Sequence, residues 1–227
     1  MTSAVRTANS KPGTPKPASS TVLGRKAVIS RDDLIAAVLK LVGPNRSVST
    51  LSLREVAREA GIAPNSFYRH FRDMDELAVA MIDRAGRTLR KIIGEARHRA
   101  SAERSVVRSS VEIFVEQLSA DEKYLHMLLR EGTVGSPAFK QAVERELSFF
   151  EEELCADLIR LAEANKAPIH EPALVAKAIT RLIFAIGGTA MDLPRTQHSE
   201  VIEQMVTMLN MIITGTQTIA LGKMPLR

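Results

Sequence analysis

Residues 53–70 read LREVAREAGIAPNSFYRH and carry the most informative pattern in the chain. Its apolar positions fit two short helices that cross at a tight turn. Val56 and Ala57 face inward, and Ala57 is small enough for the second helix to pack closely. Gly61 can adopt the positive φ that the turn needs, and Phe67 closes the junction from the other side. The spacing therefore predicts a helix-turn-helix.

Polar side chains surround the second helix of this motif, at positions that a packed core would not tolerate. Asn can bond adenine with two hydrogen bonds, Arg can bond guanine or phosphate, and Tyr can contact phosphate or thymine. The helix that starts near Thr50 and Ser52 can also offer backbone N–H groups to a phosphate. The candidate DNA-binding residues are Thr50, Ser52, Arg54, Pro64, Asn65, Ser66, Tyr68, Arg69, His70 and Arg72. An ordinary helical hairpin with a solvated face remains the alternative.

The positive charge is confined to the first third of the chain. Residues 1–80 carry 12 Lys and Arg against 7 Asp and Glu, whereas residues 81–227 carry 19 of each, so the whole net charge of +5 lies near the N-terminus. A basic part beside a balanced part indicates contact with a polyanion such as double-stranded DNA. A merely solubilising basic tail would give the same charge distribution.

The composition excludes several classes of protein. Hydrophobic residues make up 45% of the 227 residues and charged residues 25%, which is typical of a soluble globular protein. The single cysteine, Cys155, excludes an intrachain disulfide framework and favours the cytoplasm. The longest uncharged run, residues 204–222, holds seven Gln, Asn or Thr among 19 residues, so we expect a buried helix and no membrane span.

Catalytic and metal-binding motifs are absent from the sequence. The five histidines are scattered, and the chain has no HExxH, GxSxG, Walker or GxGxxG motif. We therefore expect a protein that is not an enzyme and that holds neither a metal nor a cofactor.

Helical periodicity continues from Ser30 almost to the end of the chain, and no stretch alternates as a strand does. The expected fold is all-α, with nine helices that begin near Ser30, Ser52, Pro64, Asp73, Val107, Lys123, Ser136, Glu171 and Ser199. We divide the chain into a disordered basic arm (1–29), a helix-turn-helix domain (30–76) and a helical ligand-binding and dimerisation domain (77–227).

The segment LSLREVAREAGIAPNSFYRHFRDMDEL (Leu51–Leu77) resembles the DNA-binding segment of the TetR family of bacterial regulators. Its FYRHF core, followed by an acidic helix start, carries the resemblance. The chain is most similar to the fatty-acid-responsive subgroup, the repressors of unsaturated fatty acid synthesis, and this similarity continues through Leu128–Leu154. The family usually places a Lys where this chain has Met74. We expect Arg72 or the basic arm to replace that phosphate contact.

The resemblance implies a homodimer on a palindromic operator, with the last two helices of each subunit forming a four-helix interface. The 3-4 spacing of apolar residues in those helices suits such packing. The candidate interface residues are Ile183, Gly187, Met205, Met208 and Ile212. An intramolecular core is the alternative for the same stripe.

The subgroup resemblance also implies an effector, a long-chain acyl-CoA or acyl-ACP, and control of fatty acid desaturation genes. Flexible apolar side chains suit an acyl chain, and arginines suit its phosphates, although each could equally serve the core or pair with nearby glutamates. The candidate ligand residues are Arg108, Phe114, Arg130, Phe139, Arg145, Phe149 and Phe150. A repressor of an efflux or catabolic operon that senses another apolar ligand is the alternative.

Overall fold

The computed structural model describes residues 29–42, 46–99, 105–119, 129 and 135–223. These residues form eight α-helices and no strand, which confirms the all-α fold class. Of the predicted helix at 123–131, the structure describes only Leu129. Of the predicted basic arm at 1–29, it describes only Ile29. The helices are α1 (Arg31–Leu41), α2 (Leu53–Glu59), α3 (Pro64–Phe67), α4 (Met74–Arg99), α5 (Val106–Ser119), α6 (Pro137–Asn165), α7 (Pro172–Ala190) and α8 (His198–Ala220).

Local capping explains where the helices begin. The Ser30 hydroxyl accepts the Asp33 N–H of α1 while the Asp33 carboxylate accepts the Ser30 N–H, which is a complete capping box. Ser52 and Glu55 form the same box at the start of α2. The Ser136 hydroxyl caps α6, and proline occupies the first turn of α3, α6 and α7. These helix starts agree with the sequence prediction to within a residue or two.

The first core joins the N-terminal helices to the rest of the chain. Phe67 and Phe71 pack with α1, with the first half of α4 and with Phe139 of α6. Met81 and Ile82, although they follow the predicted domain boundary at residue 76, are fully buried in this same core. Helix α4 therefore connects the helix-turn-helix rigidly to the C-terminal helices.

The second core lies between α5, α6, α7 and α8, with the last part of α4 at its edge. Helix α7 is long and apolar enough to cross a membrane by length and composition alone. The interior helix of a helical protein passes the same test, and α7 buries Val175, Ala176 and Ile179 against its neighbours. Helix α7 therefore packs one side against the second core.

Part of the predicted interface stripe packs within the subunit. Met205 is fully buried in the second core, and Ile183 packs against that core. A Cβ on Gly187 would come within 2.7 Å of the Phe114 ring of α5, so Gly187 meets a helix of its own chain. Apolar spacing marks a face that packs without saying which partner covers it, so the interface role of these three residues stays a prediction. Met208 and Ile212, from the same stripe, are half-buried.

The outward sides of α7 and α8 carry a different set of residues. Leu174 and Met211 are exposed at 62% and 67% of their surface. A Cβ added at Gly188 or Gly215 would meet no atom within 4 Å, so the backbone is open to the outside at both glycines. A second helix could approach closely there.

Candidate DNA-binding surface and ligand cavity

The turn between α2 and α3 has the geometry that its sequence predicts. Gly61 has a φ of +69°, in the left-handed region that favours glycine. The Ile62 N–H donates to the Ala57 carbonyl over 2.9 Å and closes the end of α2. Phe67 is fully buried and anchors α3 from beneath. The turn therefore fixes the direction in which α3 presents its outer side.

The outer side of α3 and the residues that follow it form a polar surface. Pro64, Asn65, Tyr68 and Arg69 are exposed, and Tyr68 shows 59% of its surface. The Tyr68 ring stands edge-on to the buried Phe67 ring, with centroids 6.0 Å apart. This aromatic contact helps to hold the Tyr68 ring in its orientation. Ser66 and His70 are half-buried beside this surface. The structure thus brings six predicted DNA-binding residues together.

The predicted phosphate contacts at the start of α2 are already occupied within the chain. The Ser52 N–H donates to the Glu55 carboxylate over 2.9 Å, and the Thr50 hydroxyl donates to the Ser47 carbonyl over 2.7 Å. Hydrogen bonds from the Ser52 backbone and hydroxyl, with Arg46 beyond them, lower the pKa of Glu55 to about 2. An anion arriving at Ser52 would have to displace this carboxylate. Arg54 is exposed nearby and keeps its predicted role as a proposal.

A residue that sequence reasoning missed holds the end of the motif in place. Arg31 of α1 donates to the His70 carbonyl over 2.7 Å and lies 3.4 Å from the Glu76 carboxylate. Its guanidinium also stacks on the Phe71 ring, 4.1 Å from the centroid. Arg72 also donates hydrogen bonds to the Glu76 carboxylate, from its backbone N–H and from its Nε. No local pattern could reveal Arg31, because 39 residues separate it from His70.

A second candidate site is an apolar cavity of about 120 Å³ between α4, α5, α6, α7 and α8. Phe114, Phe150 and Ile183 contribute apolar walls. The polar lining residues are Arg97, Ser110, Asp157 and Thr180. Apolar walls with a few polar groups are typical of a small-molecule site.

The predicted ligand residues fall in different places. Phe114 and Phe150 line the cavity, whereas Phe139 is buried in the first core. Phe149 lies at the surface, 4.9 Å beneath the Arg90 guanidinium. Arg145 pairs with Asp83, Arg108 makes two hydrogen bonds of 2.7 Å to Glu203, and Arg130 lies outside the described residues. Helical spacing correctly placed the described side chains on helices but could not tell which of them face the cavity.

A row of ion pairs joins α4 to α6 alongside the cavity. Arg90 pairs with the buried Glu146 and lies 3.1 Å from Glu153. Arg97 donates from Nε to Asp157 over 2.5 Å and lies 4.0 Å from Glu153. Burial raises the pKa of Glu146, and this effect outweighs the opposing contact with Arg90.

The pKa of Asp157 shifts in the opposite direction to that of Glu146. Burial raises its pKa, but hydrogen bonds from Arg160 and Arg97 outweigh the burial, so the net shift is downward. Asp157 is therefore a carboxylate held between two arginines at the cavity wall.

Comparison with known families identifies the N-terminal part of the chain. Residues 45–81 match the family described as bacterial regulatory proteins, tetR family. This part of the chain, which spans α2, α3 and the start of α4, is similar to the N-terminal domain of that family. The match begins before α2 and ends within α4, so it contains the whole α2–α3 motif and its exposed polar side chains.

The TetR-like fold extends to most of the chain, as solved structures show. A fatty acid degradation regulator, FadR from Bacillus halodurans, aligns over 77% of this chain and 97% of its own, with a TM-score of 0.61 and 15% identity. AibR, solved with isovaleryl coenzyme A and operator DNA, aligns over 79% and 97%, with a TM-score of 0.60 and 11% identity. The multidrug binding protein EbrR, solved with imidazole, aligns over 79% and 93%, with a TM-score of 0.59 and 20% identity. At such identities the likeness shows the fold.

Met74 is the first residue of α4. Met74, where the family usually has Lys, packs against the first core, and its thioether has neither a charge nor an N–H to offer a phosphate. Among the residues with described positions, no group of three His, Cys, Asp or Glu is placed to hold a metal ion.

Proposed function

We propose that this TetR-family regulator is a cytoplasmic repressor that binds a palindromic operator as a homodimer, through α3 of each subunit. The observation that carries the proposal is the exposed polar surface of Asn65, Tyr68 and Arg69 on a helix anchored by the buried Phe67. Such a helix suits the major groove, and two of them would lie about 34–36 Å apart, one turn of DNA. The excess of basic residues in 1–80 supports the same partner.

For the homodimer we propose the outward sides of α7 and α8 as the contact surface. Leu174 and Met211 are large apolar side chains that this single subunit leaves mostly exposed. At Gly188 and at Gly215 no atom lies within 4 Å of an added Cβ, so each glycine leaves room for a partner side chain or helix. Large apolar side chains that a single subunit leaves exposed can mark a contact with another protein.

For control of the repressor we propose a small apolar effector in the cavity between α4 and α8. Because α4 lines the cavity through Ile93 and Arg97 and also carries Met81 of the first core, a ligand that moves α4 would move α3. A cavity of about 120 Å³ is below the range of roughly 300–1,000 Å³ that drug-sized ligands occupy. The effector that fits this conformation is therefore compact.

A second candidate is the fatty-acid role implied by the sequence resemblance, with a long-chain acyl thioester as effector. It is favoured by Phe114 and Phe150 in the cavity wall and by the FadR and AibR likenesses. A long acyl chain would require the cavity to widen. The multidrug binding protein among the similar structures supports instead the alternative of an efflux or catabolic operon.

An operator selection from random duplex DNA tests the main proposal. We expect an enriched palindrome, bound by the wild-type protein and bound at least about tenfold more weakly after Tyr68→Ala, since one lost groove contact costs about 1–3 kcal/mol. Ile159→Ala is the matched control, because Ile159 is a large exposed side chain on α6, far along the chain from α3.

The same selection separates the effector candidates when it is repeated with oleoyl-CoA, palmitoyl-CoA and small apolar compounds. A response to the thioesters alone would favour the fatty-acid role, and a response to compact compounds would favour the small effector. The absence of any enriched sequence would refute the DNA-binding proposal.

A further inference from the structure

We infer that the cavity binds a small apolar carboxylate, whose acid group takes the place of Asp157 on the Arg97 guanidinium. This inference rests on the proposed function, because it takes the cavity as the effector site. It names the chemical class of the effector and the two residues that would select it.

The size and walls of the cavity define the apolar part of the ligand. Its volume of about 120 Å³ is slightly smaller than an engineered protein cavity of about 150 Å³ that binds benzene. Phe114, Phe150 and Ile183 are among the side chains that line it. One aromatic ring or a short branched chain would fill this space.

The polar part of the site is a buried guanidinium. The Arg97 side chain is only 9% exposed and is one of the residues lining the cavity. Its Nε donates to Asp157 over 2.5 Å, and a second nitrogen lies 4.0 Å from Glu153. A guanidinium has five N–H donors, and among the described contacts Arg97 uses one of them in a hydrogen bond. Arg97 therefore has donors left for a carboxylate ligand.

The pairing of Asp157 decides in favour of an anionic ligand. Asp157 is also 3.0 Å from Arg160, whose side chain is half exposed. If a ligand carboxylate forms an ion pair with Arg97, Asp157 stays paired with Arg160. Each buried charge then still has a partner of opposite charge. If a cationic ligand paired with Asp157 instead, the buried Arg97 would lose that ion pair. Its remaining contact with an acidic group would be the one to Glu153 at 4.0 Å. Leaving a buried charge poorly paired is strongly unfavourable, so the exchange is easier for an anion.

Three compounds of one shape test this charge preference: benzoate, benzyl alcohol and benzylammonium. We expect isothermal titration calorimetry on the full chain to show the tightest binding for benzoate, by at least about tenfold over the alcohol, since its carboxylate gains charge-assisted hydrogen bonds from Arg97. Arg97→Met should remove that advantage and leave benzyl alcohol unaffected. Asp157→Asn should retain or tighten benzoate binding, because the competing carboxylate is gone.

A second measurement keeps the test decisive if a substitution at Arg97 impairs folding. In the wild-type protein, nuclear Overhauser contacts from benzoate to the Phe114 and Phe150 rings would place it in the cavity. Val107→Phe, at a half-buried lining position, should fill the cavity and abolish those contacts.

Three results would overturn the inference: tighter binding of benzylammonium than of benzoate, benzoate binding that Arg97→Met leaves unchanged, or no binding of benzoate. Operator binding is measured separately by fluorescence anisotropy. A protein that binds operator DNA but not benzoate would overturn this inference and leave the proposed DNA-binding function intact. A protein that binds benzoate through Arg97 but does not bind DNA would support this inference and overturn the proposed DNA-binding function.

Discussion

The carboxylate of Glu146 on α6 occupies the space that Gly86 leaves on α4. A Cβ built on Gly86 would come within 1.9 Å of the Glu146 Oε2 and 2.5 Å of its Cδ. Glu146 is almost fully buried and pairs there with Arg90, the next basic residue along the same face of α4. The absent side chain at Gly86 therefore allows the buried ion pair between the two helices to form.

We expect Gly86→Ala to destabilise the protein by about 1–3 kcal/mol, because the added methyl group displaces a buried carboxylate from its partner. Gly94→Ala is the matched control on the same helix. The nearest atom to a Cβ there is an Arg97 nitrogen at 4.0 Å, so we expect this change to stabilise α4 by up to about 1 kcal/mol. Urea unfolding followed by circular dichroism measures both, and equal effects of the two substitutions would contradict the packing argument.

The capping box of α2 should make stability depend on acidic pH. The pKa of Glu55 is lowered from 4.5 to about 2 by the hydrogen bonds from Ser52. A carboxyl group with a lowered folded pKa contributes stability above its unfolded pKa and loses it as the pH falls toward its folded pKa. Glu55→Gln should therefore lower the melting temperature at pH 7, and its difference from the wild type should shrink from about pH 4.5 toward pH 2.

Glu59→Gln is the control for this pH dependence. Glu59 lies at the other end of α2 and makes a surface ion pair with Lys40 at 3.5 Å, which is expected to contribute little. Thermal scans from pH 7 to pH 3 compare the variants with the wild type. A Glu55→Gln deficit that stays constant over this range would show that its ionisation does not stabilise α2.

Arg31 should position the recognition helix without contacting DNA. Arg31→Lys keeps the positive charge but loses the planar fork that reaches the His70 carbonyl and stacks on Phe71. We expect operator affinity to fall by about tenfold while the dependence of affinity on salt concentration stays the same, because the number of charges is unchanged. Lys40→Met, which removes a charge from the exposed side of α1, is the comparison for stability. A shallower salt dependence in Arg31→Lys would indicate a lost phosphate contact instead.

Met211 should be central to the proposed dimer contact. Because its side chain is 67% exposed in the single subunit, Met211→Glu should leave the fold of the subunit unchanged. Burying the new carboxylate against a second copy would be costly, so we expect sedimentation velocity to show a shift from dimer to monomer. Ile159→Glu, an equally drastic change at an exposed position of α6, should remain dimeric. Dimers that persist in Met211→Glu would exclude this surface.

The C-terminal helices show the limits of periodicity as a guide. The 3-4 spacing in α7 and α8 correctly marks an apolar face, yet that face meets α5 and α6 of the same chain, with Gly187 against Phe114 and Met205 fully buried. The proposed contact surface lies on the other side, where Leu174 and Met211 project. Likewise, of the four phenylalanines with helical spacing, Phe114 and Phe150 reach the cavity. The spacing alone could not distinguish them from Phe139 or Phe149.

Local sequence was sufficient to predict the features that depend on neighbours within a few residues. Hydroxyl and carboxylate caps at Ser30 and Ser52 fix where helices begin, and the positive φ of Gly61 fixes the turn that presents α3. Contacts between distant residues depended on how the helices pack. Arg31 meets His70 across 39 residues and Arg97 meets Asp157 across 60. Such pairs form only when packing sets the relative position of whole helices, and that position depends on the shapes of all the side chains between them.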